Sequence, residues 1–359
     1  MKITILGAGN MGCANAADLT LKGHEVTLVK TSRAMHNETF DYIVKHDNRI
    51  VLWQAGVETV ANVYCITTEL DSIPTADLVM ITTQTNVHEE LIKRIAPLLR
   101  EEQVVLITPG YFSTAYFLKY CPEKNLTIVE GESSTIDCRI NNEGVVRVGF
   151  RNVRNPVGVY PVERLPKVKE MLDSMQSNYV YLSSVIEPAM HNPNMIVHTV
   201  GAVMSIPRIE KTKGEYCMYW EVWTPSVYNI LEALDNEKMN LLEHFGYDRL
   251  NYFNACKFRN SLDDSIDAKA VFEEYAASPY RAKGPTVVDS RYISEDVPQG
   301  LVMLEALSQH LGLATPICTA LIEMASAALG RDLRAEGRTL EKLGAENVQK
   351  IFENCNHKF

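Results

Sequence analysis

The sequence predicts an α/β protein whose N-terminal half is a doubly wound parallel sheet and whose C-terminal half is all helical. Short apolar runs, each as long as a strand and separated by helix-like segments, fill the first half, which is typical of βαβ units. A glycine-rich turn follows the first run, and apolar residues at helical spacing dominate after about residue 185. The predicted strands lie at 2–6, 25–29, 62–67, 77–82, 103–107 and 126–129.

The change of pattern predicts two domains, residues 1–185 and residues 186–359. A chain of 359 residues exceeds the size at which one hydrophobic core usually keeps growing. The first domain is expected to bind a dinucleotide, and the second is expected to bind the substrate. The predicted helices of the second domain lie at 187–203, 224–242, 301–311 and 319–329.

The amino-acid composition limits the kinds of molecule that the protein is expected to bind. The formal net charge is −10, and no dense run of lysine and arginine occurs, so we expect neither nucleic acid nor an anionic membrane surface as a partner. The eight cysteines are scattered, without the spacing of a zinc site, and we expect them to be reduced and no metal to be bound. The first apolar run is too short for a signal peptide or a membrane span, which predicts a cytoplasmic protein.

The turn after the first strand carries the clearest chemical signal. A strand that ends in Gly-x-Gly-x-x-Gly and continues into a helix directs backbone N–H groups and a helix N-terminus at a pyrophosphate. Gly7 makes the tight turn, Gly9 admits the phosphates, and Gly12 lets the helix pack on the strand. The predicted cofactor-binding turn is Gly7-Ala8-Gly9-Asn10-Met11-Gly12.

The end of the second strand predicts which dinucleotide binds. NAD-binding proteins usually carry an Asp or Glu there for the ribose hydroxyl, but this chain reads Lys30-Thr31-Ser32-Arg33. A hydroxyl between two cations suits a 2′-phosphate. We therefore expect Lys30, Ser32 and Arg33 to bind NADP, with NAD as the alternative, although a solvated charged loop explains either cation taken singly.

Several longer motifs extend over nearly the whole chain, and with them the sequence resembles the octopine/nopaline (opine) dehydrogenase family. Beyond the glycine turn, the resemblance rests on Glu132 shortly before Cys138-Arg139-Ile140, and on a helix that reads Asn192-x-Asn194-x-x-x-His198. Further matching segments are Thr212-Lys213-Gly214, Thr224-Pro225-Ser226, Arg291-Tyr292-x-x-Glu295-Asp296-Val297-Pro298 and Leu329-Gly330-Arg331-Asp332.

The resemblance implies a reductive condensation, in which an α-keto acid and an amino acid form an imine that takes a hydride from the reduced cofactor. The catalytic histidine and aspartate of the family fall on His198 and Asp296, and Asp296 would orient and charge-stabilise His198. Arg291 would hold a substrate carboxylate, and Glu132 would accept the cationic group of the amino acid. Asn194, with its neighbour, either contacts a ligand or caps the helix.

The sequence is also compatible with two other functions. One is an NADP-dependent reductase of simple 2-keto or 3-hydroxy acids, similar to ketopantoate reductase in architecture. The other is a sensor that binds NADP without turnover. The pocket is also expected to differ from that of most relatives, because Thr199 follows His198 where they carry proline. A homodimer is expected, since most soluble oligomers have twofold symmetry.

Overall fold

The computed structural model describes residues 1–277 and 283–355. The chain divides into two compact units, Met1–Val185 and Ile186–Phe359. In the ranges that the structure describes, no helix is both long and apolar enough to cross a membrane.

The first unit is built on an eight-stranded sheet, in the order β12-β11-β8-β7-β6-β1-β2-β5. Neighbouring strands are parallel except β11, which runs antiparallel to β8. Central strands such as β6 and β7 are buried along their whole length, as expected where both faces of a parallel sheet are covered. The strands are β1 Lys2–Leu6, β2 Glu25–Val29, β5 Cys65–Thr67, β6 Leu78–Ile81, β7 Val104–Ile107, β8 Thr127–Gly131, β11 Asn155–Tyr160 and β12 Tyr179–Tyr181.

A second, four-stranded sheet in the order β4-β3-β10-β9 belongs to the same unit. It was not predicted, because β4 is mostly exposed, and β3, whose Ile50 and Leu52 are buried, does not alternate apolar with polar residues. The single strand predicted at 62–67 is wrong, because the structure divides these residues between the end of β4 and β5. The strands are β3 Arg49–Gln54, β4 Val57–Asn62, β9 Ile136–Asn142 and β10 Val145–Arg151.

Five α-helices and four short 3₁₀ helices complete the first unit. Helix α1 packs against strands of both sheets, which explains why alanines at positions 14, 16 and 17 are fully buried on different sides of the helix. Small side chains allow this close approach. The helices are α1 Asn10–Leu21, α2 Asn37–Lys45, α3 His88–Ile95, α4 Thr114–Tyr120 and α5 Leu165–Ser174.

The second unit is helical, as predicted; its described residues form no strand longer than the isolated bridge between Cys217 and Gly284. A five-residue π turn, Val297–Leu301, leads directly into α14. The helices are α6 Ile186–Met190, α7 Pro193–Met204, α8 Ile206–Thr212, α9 Met218–Glu221, α10 Pro225–His244, α11 Tyr252–Asn260, α12 Ala268–Ala277, α13 Arg291–Ser294, α14 Val302–His310, α15 Pro316–Leu329, α16 Leu333–Glu336, α17 Leu340–Leu343 and α18 Ala345–Glu353.

Helix α7 is the centre of this unit. It is buried from Met195 to Val203 and packs against α10, α11, α13, α15 and the π turn. The helix predicted at 187–203 is interrupted before α7, because Pro193 lacks an N–H and the preceding residue, Asn192, adopts a non-helical conformation. Pro193 then occupies the first turn of α7, where proline is tolerated.

Candidate active site

The glycine turn has the geometry that a dinucleotide requires. Gly7 has a φ of +118°, and its N–H donates to the Val29 carbonyl at 2.9 Å. A Cβ at Gly12 would overlap the Gly7 carbonyl oxygen, so this glycine allows α1 to pack on β1. At Gly9, by contrast, the nearest atom to a Cβ would be His36 Cδ2 at 3.7 Å. The space above Gly9 is therefore open, which fits the approach of a phosphate group to the N-terminus of α1.

Two side chains that the sequence did not single out support the turn. Thr82, directly after β6, donates its hydroxyl to the Gly7 carbonyl at 3.0 Å. His36 lies next to Gly9, and burial and the ammonium of Lys30 lower its pKa. Asn10 uses its side-chain oxygen within the protein, accepting the N–H of Ile140 at 2.7 Å. Asn10 therefore anchors the turn to β9. A hydroxyl at the end of a neighbouring strand is too common to be recognised in the sequence alone.

The cations after β2 lie together but already have partners. Lys30 is buried, donates to the Met35 carbonyl at 2.6 Å, and has its pKa lowered by burial and by Arg33. Arg33 is exposed and pairs with Asp41 at 2.7 Å. Both cations approach the ring of Phe40. Ser32 is exposed beside them. The segment therefore forms a positively charged edge whose cations would have to share or exchange partners to bind a phosphate.

In the second unit, His198 and Asp296 come together although 98 residues separate them. The Nδ1 of His198 donates to the Oδ2 of Asp296 at 2.8 Å, and their exposures are 8% and 1%. The ring of Tyr292 stacks on the imidazole, with centroids 3.7 Å apart and planes 5° apart. His198 belongs to α7, while Tyr292 belongs to α13, which packs on α7. One ring nitrogen is thus held by a carboxylate and one ring face by an aromatic ring.

Arg291 begins α13 in the same unit. Its Nε lies 3.3 Å from the Oε2 of buried Glu295, while half of its side chain is exposed. An arginine tethered at Nε can still offer its terminal nitrogens to a carboxylate. In the chain, Arg291 directly precedes Tyr292, which stacks on His198, and Glu295 directly precedes Asp296, which bonds His198.

The remaining predicted residues divide between the two units. Glu132 lies in the first unit, directly after β8; it is buried, and its N–H donates to the Pro156 carbonyl at 3.3 Å. Asn192 caps α7, since its side-chain oxygen accepts the N–H of Asn194 at 3.0 Å. Of the two roles left open for these asparagines, the structure therefore shows capping for Asn192. The side chain of Asn194 is half-buried on the first turn of α7.

The glycine turn and the His198 group define a class of protein: a two-unit oxidoreductase that uses a nicotinamide dinucleotide. Two family models match the chain. Residues 3–128 match the model described as ketopantoate reductase PanE/ApbA, and residues 181–329 match the NAD/NADP octopine/nopaline dehydrogenase alpha-helical domain. The second match contains His198, Arg291 and Asp296. The helical half of the chain thus matches the octopine/nopaline dehydrogenase family model, in agreement with the resemblance seen in the sequence.

Individual relatives are similar over their whole length. An opine dehydrogenase from Arthrobacter sp. (strain 1C) is 28% identical over 96% of this chain and 95% of its own. An octopine dehydrogenase structure with NADH and pyruvate is 15% identical with a TM-score of 0.76, covering 100% of this chain and 99% of that one. A yersinopine dehydrogenase structure with bound NADP+ is 13% identical with a TM-score of 0.73, covering 99% and 98%. These structures share the fold of this protein.

Proposed function

We propose that this protein is an opine-type dehydrogenase that reductively condenses an α-keto acid with the amino group of an amino acid. The observation that carries the proposal is the buried hydrogen bond between His198 and Asp296, in the same unit as the half-exposed side chain of Arg291. The keto carbon and the amine nitrogen form an imine with loss of water, and a hydride and a proton then convert the imine to a secondary amine. Bound at the glycine turn, the reduced nicotinamide cofactor supplies the hydride.

His198 is the proposed acid–base group. Because its Nδ1 donates to Asp296, Nε2 is the ring nitrogen that can take a proton from the substrate ammonium and return it later. The carboxylate of Asp296 favours the imidazolium that forms when His198 accepts this proton. The stack with Tyr292 limits the orientations of the ring. This arrangement suits a reaction that needs an amine deprotonated and a leaving oxygen protonated near neutral pH.

The substrate groups are assigned to three further residues. Arg291 binds the carboxylate of a pyruvate-like keto acid through its terminal nitrogens. Glu132 accepts a cationic group of the amino acid, and Asn194 contacts bound substrate from the first turn of α7. The relative solved with NADH and pyruvate supports a keto acid as one of the two substrates.

We further propose NADP as the preferred cofactor. No acidic residue occupies the segment after β2, where Lys30, Ser32 and Arg33 lie together. The similar structures were solved with either NADH or NADP+, so similarity to them leaves NAD as the alternative. A homodimer and a cytoplasmic location stay predictions from the sequence.

The proposed reaction is tested with a matrix of keto acids and amino acids against NADPH and NADH, followed by absorbance. We expect oxidation of the cofactor by pyruvate to require an amino acid and to be faster with NADPH. Equal rates with and without the amino acid would instead support a simple keto-acid reductase. The match of residues 3–128 to ketopantoate reductase is the observation that favours this second candidate.

The proposed roles of His198 and Asp296 are tested with His198→Gln and Asp296→Asn. Loss of the proton acceptor, or of the charge that supports it, should lower kcat by roughly 10²- to 10⁴-fold. Binding of NADPH, measured by fluorescence titration, should be unchanged. The matched control is His310→Gln, since His310 is a half-buried histidine at the end of α14 that bonds Gln349 and contacts the ring of Phe352. Unchanged activity in His198→Gln would refute the mechanism.

A further inference from the structure

We propose that Arg338 is a positioning residue that sets the direction of the Asp296 carboxylate by holding the π turn Val297–Leu301. The inference rests on the proposed function, because Asp296 matters here as the partner of His198. The segment that carries Arg338 follows α16 and contains none of the residues proposed to act in the reaction.

Arg338 is held inside the second unit by specific contacts with the π turn. Its exposure is 0%, and it is among the largest fully buried side chains of the described residues. Its Nε donates to the side-chain oxygen of Gln299 at 2.9 Å, and its backbone N–H donates to the Pro298 carbonyl at 3.0 Å. A buried guanidinium is costly unless its donors are satisfied, so these bonds strongly favour one arrangement of the turn.

Gly337 brings the backbone of this segment into direct contact with the turn. A Cβ at this position would overlap the Pro298 carbonyl oxygen and would lie 2.7 Å from Val302 Cβ. The φ of Gly337 is −86°, so its backbone conformation is open to any residue. Close packing against the turn, rather than backbone conformation, is therefore what requires glycine here.

The π turn itself determines how α13 joins α14. The N–H of Val302 bonds the carbonyl of Val297, five residues earlier, whereas an α-helix bonds four residues earlier. The carbonyl of Leu301 accepts the thiol of Cys318 at 3.1 Å, so a second contact from outside satisfies the turn. If the turn relaxed to α-helix, the residues before it would rotate by about 100° about the helix axis. Asp296, directly before Val297, would then leave His198.

Arg334, four residues before Arg338, provides a matched control. Arg334 bonds the buried carboxylate of Glu305 through Nε at 2.7 Å and through a terminal nitrogen at 3.1 Å. Glu305 belongs to α14, beyond the π turn. Substitution of Arg334 also leaves a buried polar group without an arginine partner, but it leaves the contacts of Arg338 with the turn intact.

The experiment compares Arg338→Met with Arg334→Met in the full-length protein. Thermal unfolding measures the loss of stability, and kcat and KM are measured for each substrate. NMR of the ¹⁵N-labelled imidazole reports the tautomer and titration midpoint of His198 without any need for turnover. We expect Arg338→Met to lower kcat by about 10- to 100-fold, as for a displaced catalytic group, and to shift the His198 titration. Arg334→Met should lose stability while it keeps the wild-type kcat and titration.

Gly337→Ala is the second test. If Arg338→Met does not fold, this variant shows whether contact with the π turn sets the position of Asp296. It keeps every charge and displaces the Pro298 carbonyl, so it should shift the His198 titration in the same way. A wild-type titration in the folded variant, or equal kcat losses in the two arginine variants, would overturn the inference. If the wild-type protein shows no amine-dependent turnover, the proposed function fails, but the NMR comparison still decides whether Arg338 positions Asp296.

Discussion

At the scale of single residues, His198 is constrained from two directions by contacts of different kinds. Asp296 fixes the Nδ1 side of the ring through a buried hydrogen bond of 2.8 Å, and Tyr292 fixes one face by a nearly parallel stack. The hydrogen bond selects a tautomer, while the stack restricts rotation of the ring. Proton transfer depends on orientation as well as on protonation state, so the two contacts should have separable effects on rate.

Substitutions of Tyr292 test the contribution of the stack. Tyr292→Leu removes the aromatic face, and we expect kcat to fall by roughly 2- to 10-fold, in line with the free energy of one aromatic pair. Tyr292→Phe keeps the ring and is the matched control, with an expected kcat near that of the wild type. Steady-state kinetics with both substrates saturating will measure the difference. If Phe lost as much activity as Leu, the hydroxyl rather than the ring face would be the important group.

At the scale of elements, the strand–turn–helix unit around Gly7 contains two glycines that are required for different reasons. The position of Gly12 is crowded by the protein itself, whereas the position of Gly9 is open. Gly12 is therefore needed for close packing, and we propose that Gly9 is needed for ligand binding.

Alanine substitutions should separate these two roles. Gly12→Ala should lower thermal stability strongly, because a Cβ would overlap the Gly7 carbonyl. Gly9→Ala should unfold at the wild-type temperature but bind NADPH about tenfold or more weakly, since a methyl group would occupy the approach of the phosphates. Calorimetry will measure the unfolding temperature of each variant, and titration with NADPH will measure its affinity for the cofactor. Wild-type affinity in Gly9→Ala would contradict the assignment of the turn.

The loop before α7 adds a buried titratable group, His191. His191 is buried near Lys238 of α10 and Arg259 of α11. Burial and these two positive charges keep the pKa of His191 well below its usual value. Lys238 itself pairs with Asp235 at 2.6 Å, and Arg259 lies near the His191 carbonyl. The imidazole therefore stays neutral in the folded protein at a pH where it would be protonated in the unfolded chain.

This shift predicts how stability depends on pH. Because the folded-state pKa is depressed, the stabilisation is complete above about pH 6.5 and is lost as the pH falls below it. The free energy of unfolding should fall by up to about 1.4 kcal/mol per pH unit more in the wild type than in His191→Gln. Urea unfolding between pH 7.5 and 5.5 will measure both slopes. His310→Gln, which changes a half-buried histidine bonded to Gln349, should keep the wild-type slope. Parallel curves for the wild type and His191→Gln would refute the prediction.

At the scale of the whole molecule, the reactivity of the cysteine thiols distinguishes the folded protein from the unfolded chain. All eight are free thiols; five of them are buried, and Cys65, Cys217 and Cys256 are half-buried. Burial raises the pKa of Cys13 and Cys138 to about 12, which suppresses the reactive thiolate.

We therefore expect only the three half-buried thiols to react quickly with a chromogenic disulfide reagent in the native protein. All eight should react after unfolding in denaturant. Cys65→Ser should remove one fast-reacting thiol, whereas Cys121→Ser should remove none, because Cys121 is buried. A single rate for all eight thiols in the native protein would contradict the structure.

The sequence by itself determined those features that local patterns encode. Apolar period and length predicted most strands of the main sheet, though not β11 or β12, and five of the thirteen helices described in the second unit. Three glycines at fixed spacing predicted the turn after β1. These predictions hold because each depends on neighbours within one element. The resemblance to the family pointed to His198 and Asp296 as a pair, which spacing alone would not have done.

Only the tertiary structure decided the features that depend on distant parts of the chain. The four-stranded sheet joins β3 to β10 across nearly 100 residues, and this pairing depends on segments that are far apart in the sequence. The burial of Lys30, the stack of Tyr292 on His198 and the insertion of Arg338 at the π turn likewise arise from packing between elements. Free energies of burial and hydrogen bonding between residues far apart in sequence choose these arrangements, and no local pattern records them.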